Sequence, residues 1–506
     1  MKKSIRILCA LLVIAMVSCA AVSCTNTPNN PADGTDGSST AEPGTASGNG
    51  SGEATAEVTE RVTDKYDITG IDPSVNYGGA NFTIFTWSEQ TMWEYVEGDS
   101  FDGKDLLQQA IYDRQKQTEE MLGVKIILTK EAGSWSYRNT FIQKLKASVD
   151  NQDHAYDLVG QYTPAAALGA MQGLYMPLGK TKYFNADHEW WHGDIVDSCS
   201  INRNLYFVTG SITPTLVRNI GVMMYNLDLG ASLGLPDIYE LVNNKEWTLE
   251  KFKEIIIGAY GNGNADGTPT YSFTIGTSVV YDNIFYAGGF RFVDVDKTSG
   301  TLEISKTLEG QPMVDWYDAW RDIRFNNSDV EMIAMDDGTS GFTVGATLMT
   351  MGDMASVQNS LRDVDFNFAI FPTPLRDENQ DNYHTTLGMW VTFFSIPKDV
   401  KNQEMSSAVL ETMGYYGYTS LTPTFYKDAF QLRYLETKAN ADILDLLHDT
   451  LTYDTGKIFA DDMSVFGLFR QAASDSSSSW TQIYGSGKTL WGNRLANIVS
   501  RLGKYN

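Results

Sequence analysis

Three short motifs in this chain have residue types and spacings that can do chemistry, and the context of each argues for a plainer role. His188 to His192 reads HEWWH. Two histidines four apart on a helix, with a glutamate beside the first, can hold zinc and activate a water. Such a site needs a stable helix and a third ligand. Here Asn185-Ala186-Asp187 precedes the motif, and Gly193 and Asp194 follow at once, leaving barely two turns. Gly485-Ser486-Gly487-Lys488-Thr489 imitates a phosphate loop, but Gln482 stands where its first glycine belongs and no clear buried strand leads into it. Asn262-Gly263-Asn264-Ala265-Asp266-Gly267 echoes a calcium loop. It starts on Asn, and Phe273 occupies the place of the bidentate glutamate. A Gly-rich turn is the plainer reading, with calcium left open. No catalytic residue, cofactor or resident metal is expected.

The elements around these motifs alternate. Residues 81–87 (NFTIFTW) read as a strand, residues 105–122 have helical spacing and stop at Gly123, and residues 124–128 form a second strand. Residues 135–148 read as a helix and 156–160 as a third strand. Strands alternating with helices imply an α/β fold with parallel strands joined by crossover helices. Ligands of open parallel sheets sit outside the carboxyl ends of the strands. That rule points to Trp87 and Glu89 after the first strand, and to Gln161 and Tyr162 after the third.

The N-terminus has a different character. Lys2, Lys3 and Arg6 precede an apolar run, residues 7–22, that is short for a membrane span. Ala21-Val22-Ser23-Cys24 resembles a bacterial lipoprotein box, and Cys24 is favoured over Cys19 because small residues precede it. Residues 1–23 are then a signal peptide. Residues 24–75 are a lipidated cysteine and a tether of Thr, Asn, Pro, Gly, Ser and Ala, expected to be disordered because it has little to bury. The full chain has 506 residues, with 38 basic against 63 acidic side chains. That balance disfavours nucleic acid and anionic lipid surfaces. With Cys24 acylated, Cys199 is a lone thiol and no disulfide can form.

The segment 221–256 carries a family resemblance. A strand-like Val222-Met223-Met224-Tyr225 is followed by a short helix with a Gly234-Leu235-Pro236 stop, and then by Glu246-Trp247-Thr248 with Thr248 as helix N-cap. Further blocks follow in order. These are a hairpin at 205–210 (LYFVTG), the segment 342–353 (FTVGATLMTMGD), the strand 365–374 (DFNFAIFPTP), the returning strand 390–398 (WVTFFSIPK), and a helix begun by Lys401-Asn402. Together they resemble the family 1 extracellular solute-binding proteins of ABC importers.

The resemblance implies a two-lobed periplasmic-binding-protein-like fold with the ligand cleft between the lobes. Lobe 1 would be about 76–219 and 391–449, and lobe 2 about 220–389 and 450–506, with hinges near 217–222 and 386–390. It implies a cell-surface receptor, held to the extracellular face of the membrane by its lipid, monomeric, and handing a mono- or oligosaccharide to permease subunits. A secreted hydrolase and a sugar-capturing lipoprotein without a transporter are the alternatives. Sugars need aromatic faces together with carboxylates and amides. The cleft loops of the resemblance offer Trp87, Glu89, Trp93, Tyr162, Tyr281, Asp282, Gly352, Asp353 and Trp390. Gly352-Asp353-Met354 lacks the tryptophan that maltodextrin binders of the family place two residues after this glycine. On this reading Trp87→Ala weakens binding and leaves the fold intact. Trp316 and Trp320, four apart, read as a core face, and Trp190-Trp191 as a packed surface ridge.

Overall fold

The structure is a computed structural model that describes residues 65–505, apart from 99, 102, 104, 259–269, 277–278, 334–338 and 431–437. The leader, Cys24, most of the tether and the 262–267 turn lie outside the described residues. The described residues form one compact unit.

The first sheet is built as the alternating pattern implies. β1 (Ala80–Trp87) is followed by α1 (Leu106–Leu122), β2 (Val124–Glu131), α2 (Arg138–Asn151) and β3 (Leu158–Tyr162). Asp105 caps α1 by accepting the Gln108 N–H. Gly123 ends it in the left-handed region at φ 63°, where a side chain would be strained. β1 pairs in parallel with β2 on one side and with β3 on the other. The chain therefore reverses direction across β1, which makes the gap between β1 and β3 a topological switch point. Ile84, Phe85, Thr86 and Trp87 are buried in succession rather than alternately. Successive burial is expected of a parallel strand covered on both faces.

Past this sheet, α3 (Pro214–Arg218) leads into β4 (Gly221–Asn226). The second sheet adds β5 (Tyr271–Gly276), β6 (Val330–Ile333), β7 (Thr347–Asp353) and β8 (Phe368–Phe371), in the order β6-β5-β7-β4-β8. β4 runs antiparallel to β7 and β8, and β5, β6 and β7 are parallel. Between these strands lie α4 (Leu249–Ile256), with Thr248 accepting the Lys251 N–H as its cap, α5 (Val279–Ala287), α6 (Gln311–Asn326) and α7 (Met354–Ser360). Trp316 and Trp320 on α6 are buried edge to face, as their spacing predicts.

The chain then crosses back. β9 (Thr385–Thr386) precedes β10 (Thr392–Ser395), which joins the first sheet antiparallel to β3. α8 (Gln403–Tyr416), capped by Asn402, packs on α1. Two crossings meet at the hinge: Ile220 bridges Leu387, and the Gly388 N–H donates to the Asn219 carbonyl at 2.8 Å. A third segment joins them, since β9 pairs with β11 (Leu451–Thr452).

The structure corrects several sequence expectations. The hairpin precedes its expected place and pairs residues 200–201 with 204–205. Trp190 and Trp191 are buried rather than a surface ridge. Trp190 packs against His188, Tyr415 and Tyr418, and the Trp191 indole donates to Glu411. α9 (Lys438–Asp449) packs on β8 of the second sheet through buried Ile443, Leu444 and Leu447, so the chain returns to that side before residue 450. The last helix, α10 (Trp480–Leu502), belongs to neither side alone. Its first residue donates from the indole to Leu308, and its end accepts from Asn202 and Tyr206. Tyr505, just beyond it, lies against Gly173 and Lys398. Twenty-three residues span about 34 Å, enough to run along both lobes.

Candidate functional site

The switch point between β1 and β3 carries three aromatic rings. Trp87 is the last residue of β1 and Tyr162 the last of β3, while Trp390 stands two residues before β10. Parallel pairing brings β1 and β3 side by side, and the β10 register sets Thr392 opposite Tyr162. The ring centroids of Trp87 and Tyr162 are 5.2 Å apart, those of Trp87 and Trp390 5.8 Å, and those of Tyr162 and Trp390 5.6 Å. Trp87 and Tyr162 are buried, whereas Trp390 is 39 % exposed. Trp390 is thus the outer plate and the other two rings support it. The Trp87 indole donates to Thr392 Oγ1 at 3.0 Å. Burial pushes the Tyr162 phenol above its ordinary pKa, with Arg138 and Arg470 pulling it down and Asp461 pushing it up.

Those three charges come from a wall beside the rings. The Arg138 guanidinium stacks on Trp135 at 4.0 Å and donates to Asp461 at 3.0 Å. Trp135 in turn stacks on Phe466, at 5.1 Å. Arg470 grips the Asp282 carboxylate with two nitrogens, the Nε–H bond being 2.8 Å. Residues 461–470 therefore touch the first sheet's loops through Trp135 and Arg138, and α5 of the second side through Asp282. A cavity of about 20 Å³ beside this wall is lined by Asp282, Met389, Lys457 and Phe466, among others. It has room for a single water.

The other expected residues fall in different places. Glu89 holds the loop after β2, accepting the N–H groups of Gly133 and Ser134, each at 3.0 Å. Burial raises its pKa, but these donors outweigh burial and hold it below the usual range. Trp93 carries the Arg218 guanidinium over its ring at 3.6 Å. Arg218 also donates to Gln358, and burial lowers its pKa to about 10 against the opposing charge of Asp353. Asp353 caps α7 through the Ser356 N–H. A Cβ on Gly352 would sit 2.8 Å from the terminal methyl of Met224, a flexible side-chain end that can move aside. Tyr281 is buried against Phe469 and offers no face to a ligand in this structure; Asp282 beside it is held by Arg470. The structure thus brings Trp87, Tyr162 and Trp390 into one cluster and joins Trp93 to Asp353 through Arg218. Asp282 stands on the facing wall.

Sequence reasoning missed Trp135, Arg138, Asp461, Phe466 and Arg470. The strand-end rule could have found the first two, because they lie just beyond the carboxyl end of β2 as Tyr162 lies at that of β3. No spacing signal marks residues 461–470.

Buried ionisable groups lie beside the crossings, Lys457 and Glu94 among them. Lys457 donates to the Leu387 carbonyl and lies 3.4 Å from both Asn283 Oδ1 and Thr386 Oγ1, and burial lowers its pKa to about 8. Glu94, also fully buried, has its pKa pushed up by burial and pulled down by Arg114 and by the hydroxyls of Thr213, Thr392 and Thr215.

The HEWWH segment does not converge on a metal. Glu189–Trp191 is a single 3₁₀ turn, and His192 breaks it at φ 53°. His188 pairs with Glu411, whereas His192 faces His448 with ring centroids 4.6 Å apart. Residues 485–489 lie inside α10 rather than in a loop. Among the described residues no helix is long and apolar enough to cross a membrane.

No protein-family model matches the chain, and no curated protein does. Solved structures do. The cyclic alpha-maltosyl-1,6-maltose binding protein from Arthrobacter globiformis matches over 84 % of this chain and 100 % of its own, at 13 % identity and a TM-score of 0.51. UspC from M. tuberculosis matches over 82 % and 100 %, at 14 % identity and a TM-score of 0.52. The GacH receptor of Streptomyces glaucescens, solved unliganded and with acarbose, matches over 84 % and 98 %, at 14 % identity and a TM-score of 0.50. What is shared at these identities is the fold: two α/β lobes with multiple crossings, the periplasmic-binding-protein architecture.

Proposed function

We propose that this chain is the substrate-binding lipoprotein of an ABC importer, anchored at Cys24 on the outer face of the membrane. It captures a mono- or oligosaccharide between its two lobes. The observation that carries the reading is the stack of Trp87, Tyr162 and Trp390 at the switch point, beside two lobe crossings. A sugar presents flat C–H faces that aromatic rings cover, and hydroxyls that charged and amide groups bind. Trp390 supplies the face. Arg138, Asp461, Asp282 and Arg470, already paired with one another, supply donors and acceptors that can exchange partners with hydroxyls. Two of the solved structures with this fold are described as binding oligosaccharide-type ligands, cyclic alpha-maltosyl-1,6-maltose and acarbose.

Binding is by closure. Short crossings at 217–221, 386–391 and 450–455 restrict the lobes to a hinge motion, and permease subunits would read the closed form. Trp93, Glu89, Gly352 and Asp353 belong to this reading as rim and hinge residues, and Tyr281 as packing behind Asp282.

The test is a thermal-shift panel of maltose, maltotriose, raffinose, xylo- and cello-oligosaccharides, amino acids, peptides and polyamines, each with and without zinc. A ligand that binds only the folded state stabilises it by about 2.7 kcal/mol at a hundred-fold excess over Kd. A shift with sugars alone, indifferent to zinc, supports the reading. A shift confined to amino acids or peptides, or to zinc, would sink it.

A further inference from the structure

A column of stacked side chains joins the loop after β2 to helix α5. The Arg138 guanidinium lies over the Trp135 ring at 4.0 Å. Trp135 also stacks on Phe466, with centroids 5.1 Å apart and an angle of 23° between the rings. The Arg470 guanidinium lies over Phe466 at 4.6 Å. A carboxylate closes each end: Asp461 accepts from Arg138 at 3.0 Å, and Asp282 accepts from two nitrogens of Arg470. Stacked rings attract, and so do cations over aromatic faces, so each member of the column holds the next. Trp135 and Arg138 stand on the first lobe and Asp282 on the second, while Phe466 and Arg470 belong to the segment between them.

The two ends are rooted unequally. Phe469, beside Arg470, is buried against Tyr281, Phe285 and Tyr317 of the second lobe. Toward the first lobe the contact is lighter. Trp135 and Phe466 are half-buried, and the side chains of Arg138 and Asp461 are 20 % and 40 % exposed. One stacked pair and a partly exposed ion pair bias an equilibrium without fixing it. Phe466 and Asp282 also line the cavity they share with Met389 and Lys457, which has room for a single water. A sugar ring reaches that side of the cleft only when the column parts, and its weakest join is Trp135 on Phe466.

We propose that this column is an interlobe latch, anchored on the second lobe and holding the first through Trp135, that parts to admit the ligand. The inference rests on the closure reading above.

The experiment is pulsed electron spin resonance on the whole exported protein, labelled at Ala147→Cys on α2 and Glu250→Cys on α4, both exposed positions. Cys24→Ser leaves Cys199 as the native thiol, and its burial keeps it unlabelled. Without sugar, Phe466→Leu should raise the population at the longer label distance roughly two- to five-fold, the factor expected from losing one modest contact. Phe466→Tyr keeps the ring and should return the distribution to that of wild type. Asp461→Asn, isosteric and exposed, should shift it the same way by less, and decides alone should Phe466→Leu fail to fold. The association rate of maltotriose should rise in step with the longer-distance population, because a larger fraction of the protein is competent to bind. Distances that stay put in Phe466→Leu, or that lengthen as much in Phe466→Tyr, overturn the latch and leave the carbohydrate reading standing. Lengthened distances with unchanged association overturn its gating of the cleft. A wild-type protein that binds no sugar of the panel overturns the carbohydrate reading, and the sugar-free distances still decide whether the column holds the lobes.

Discussion

The two faces of the proposed cleft are built from different materials. On the first sheet's side the strand ends carry three packed rings, of which only Trp390 reaches solvent. On the facing side the polar groups are charged and mutually paired: Asp282 with Arg470, and Asp353 near Arg218. One face presents a rigid apolar plate whose energy comes from area and shape. The other presents charges that are exchangeable, because a ligand hydroxyl can replace a pairing without leaving a charge bare. A carbohydrate requires both at once, and the proposed closure would bring them together. On the proposed carbohydrate reading, the first lobe would select by shape and the second by hydrogen bonding. Variants on the two faces should therefore fail in different ways.

The largest effect is expected where the plate is rooted. Trp87→Ala removes a fully buried indole and its bond to Thr392. The loss in stability should be about 3–5 kcal/mol, as for other core aromatic truncations. Urea unfolding measures it, and this replaces the sequence-based expectation that Trp87→Ala spares the fold. Trp390→Ala should behave in the opposite manner. Its ring is more than a third exposed, so the melting temperature should hardly change. Sugar affinity should fall by a factor of about thirty, the roughly 2 kcal/mol of an aromatic anchor. If Trp390→Ala bound as tightly as wild type, the aromatic face would not be the selecting surface and the contrast between the faces would collapse.

Much of the first face was legible in the sequence. Alternating strands and helices define a parallel sheet, a parallel sheet defines its functional end, and Trp87 and Tyr162 stand at that end. Trp390 came from the resemblance and joins the same cluster. The facing wall was not legible. Arg470 is 188 residues from Asp282, and Asp461 is 323 from Arg138. Pairings at such separations leave no local pattern. Burial was equally hidden. Tyr281 and Asp282 are neighbours, yet the helix carrying them sends one ring into the core and the other side chain to Arg470. Glu94 was missed because a buried carboxylate follows no apolar period, and only three-dimensional packing brings it to Thr213 and Thr215.

A pH experiment separates stability from binding away from both faces. Burial is the first cause lowering His192, helped by His448 and opposed by Asp449, and its pKa falls from 6.5 to about 4. The unfolded chain then binds a proton that the folded chain refuses between these values. This stabilising term is complete above pH 6.5 and is lost as pH falls toward 4. Between pH 7 and pH 5 the loss amounts to about 2 kcal/mol. His192→Asn, which tolerates the positive φ, should remove that part of the slope. Denaturant unfolding of both proteins at the two pH values gives the difference directly, free of other titrating groups. Sugar affinity at pH 7 should be the same in both. A change in affinity would mean that stability and binding are coupled, and the variants on the two faces would then need correction for it.

The smallest effect tests the charged face. Arg470 and Asp282 are each less than a quarter exposed, and the guanidinium meets the carboxylate with two nitrogens. A double-mutant cycle of Asp282→Asn and Arg470→Gln should give a coupling of about 1 kcal/mol in the free protein, typical of a well-formed pair of partial exposure. With sugar bound, the coupling should shrink, because hydroxyls take over part of what each charge gives the other. The two single variants should then weaken sugar binding less than Trp390→Ala and in a manner that varies with the sugar, since each hydroxyl pattern uses the pair differently. A coupling that is unchanged by a saturating sugar would mean that the pair is structural. The wall formed by residues 461–470 would then close the cleft without selecting its contents, and selectivity would fall back on the aromatic face alone.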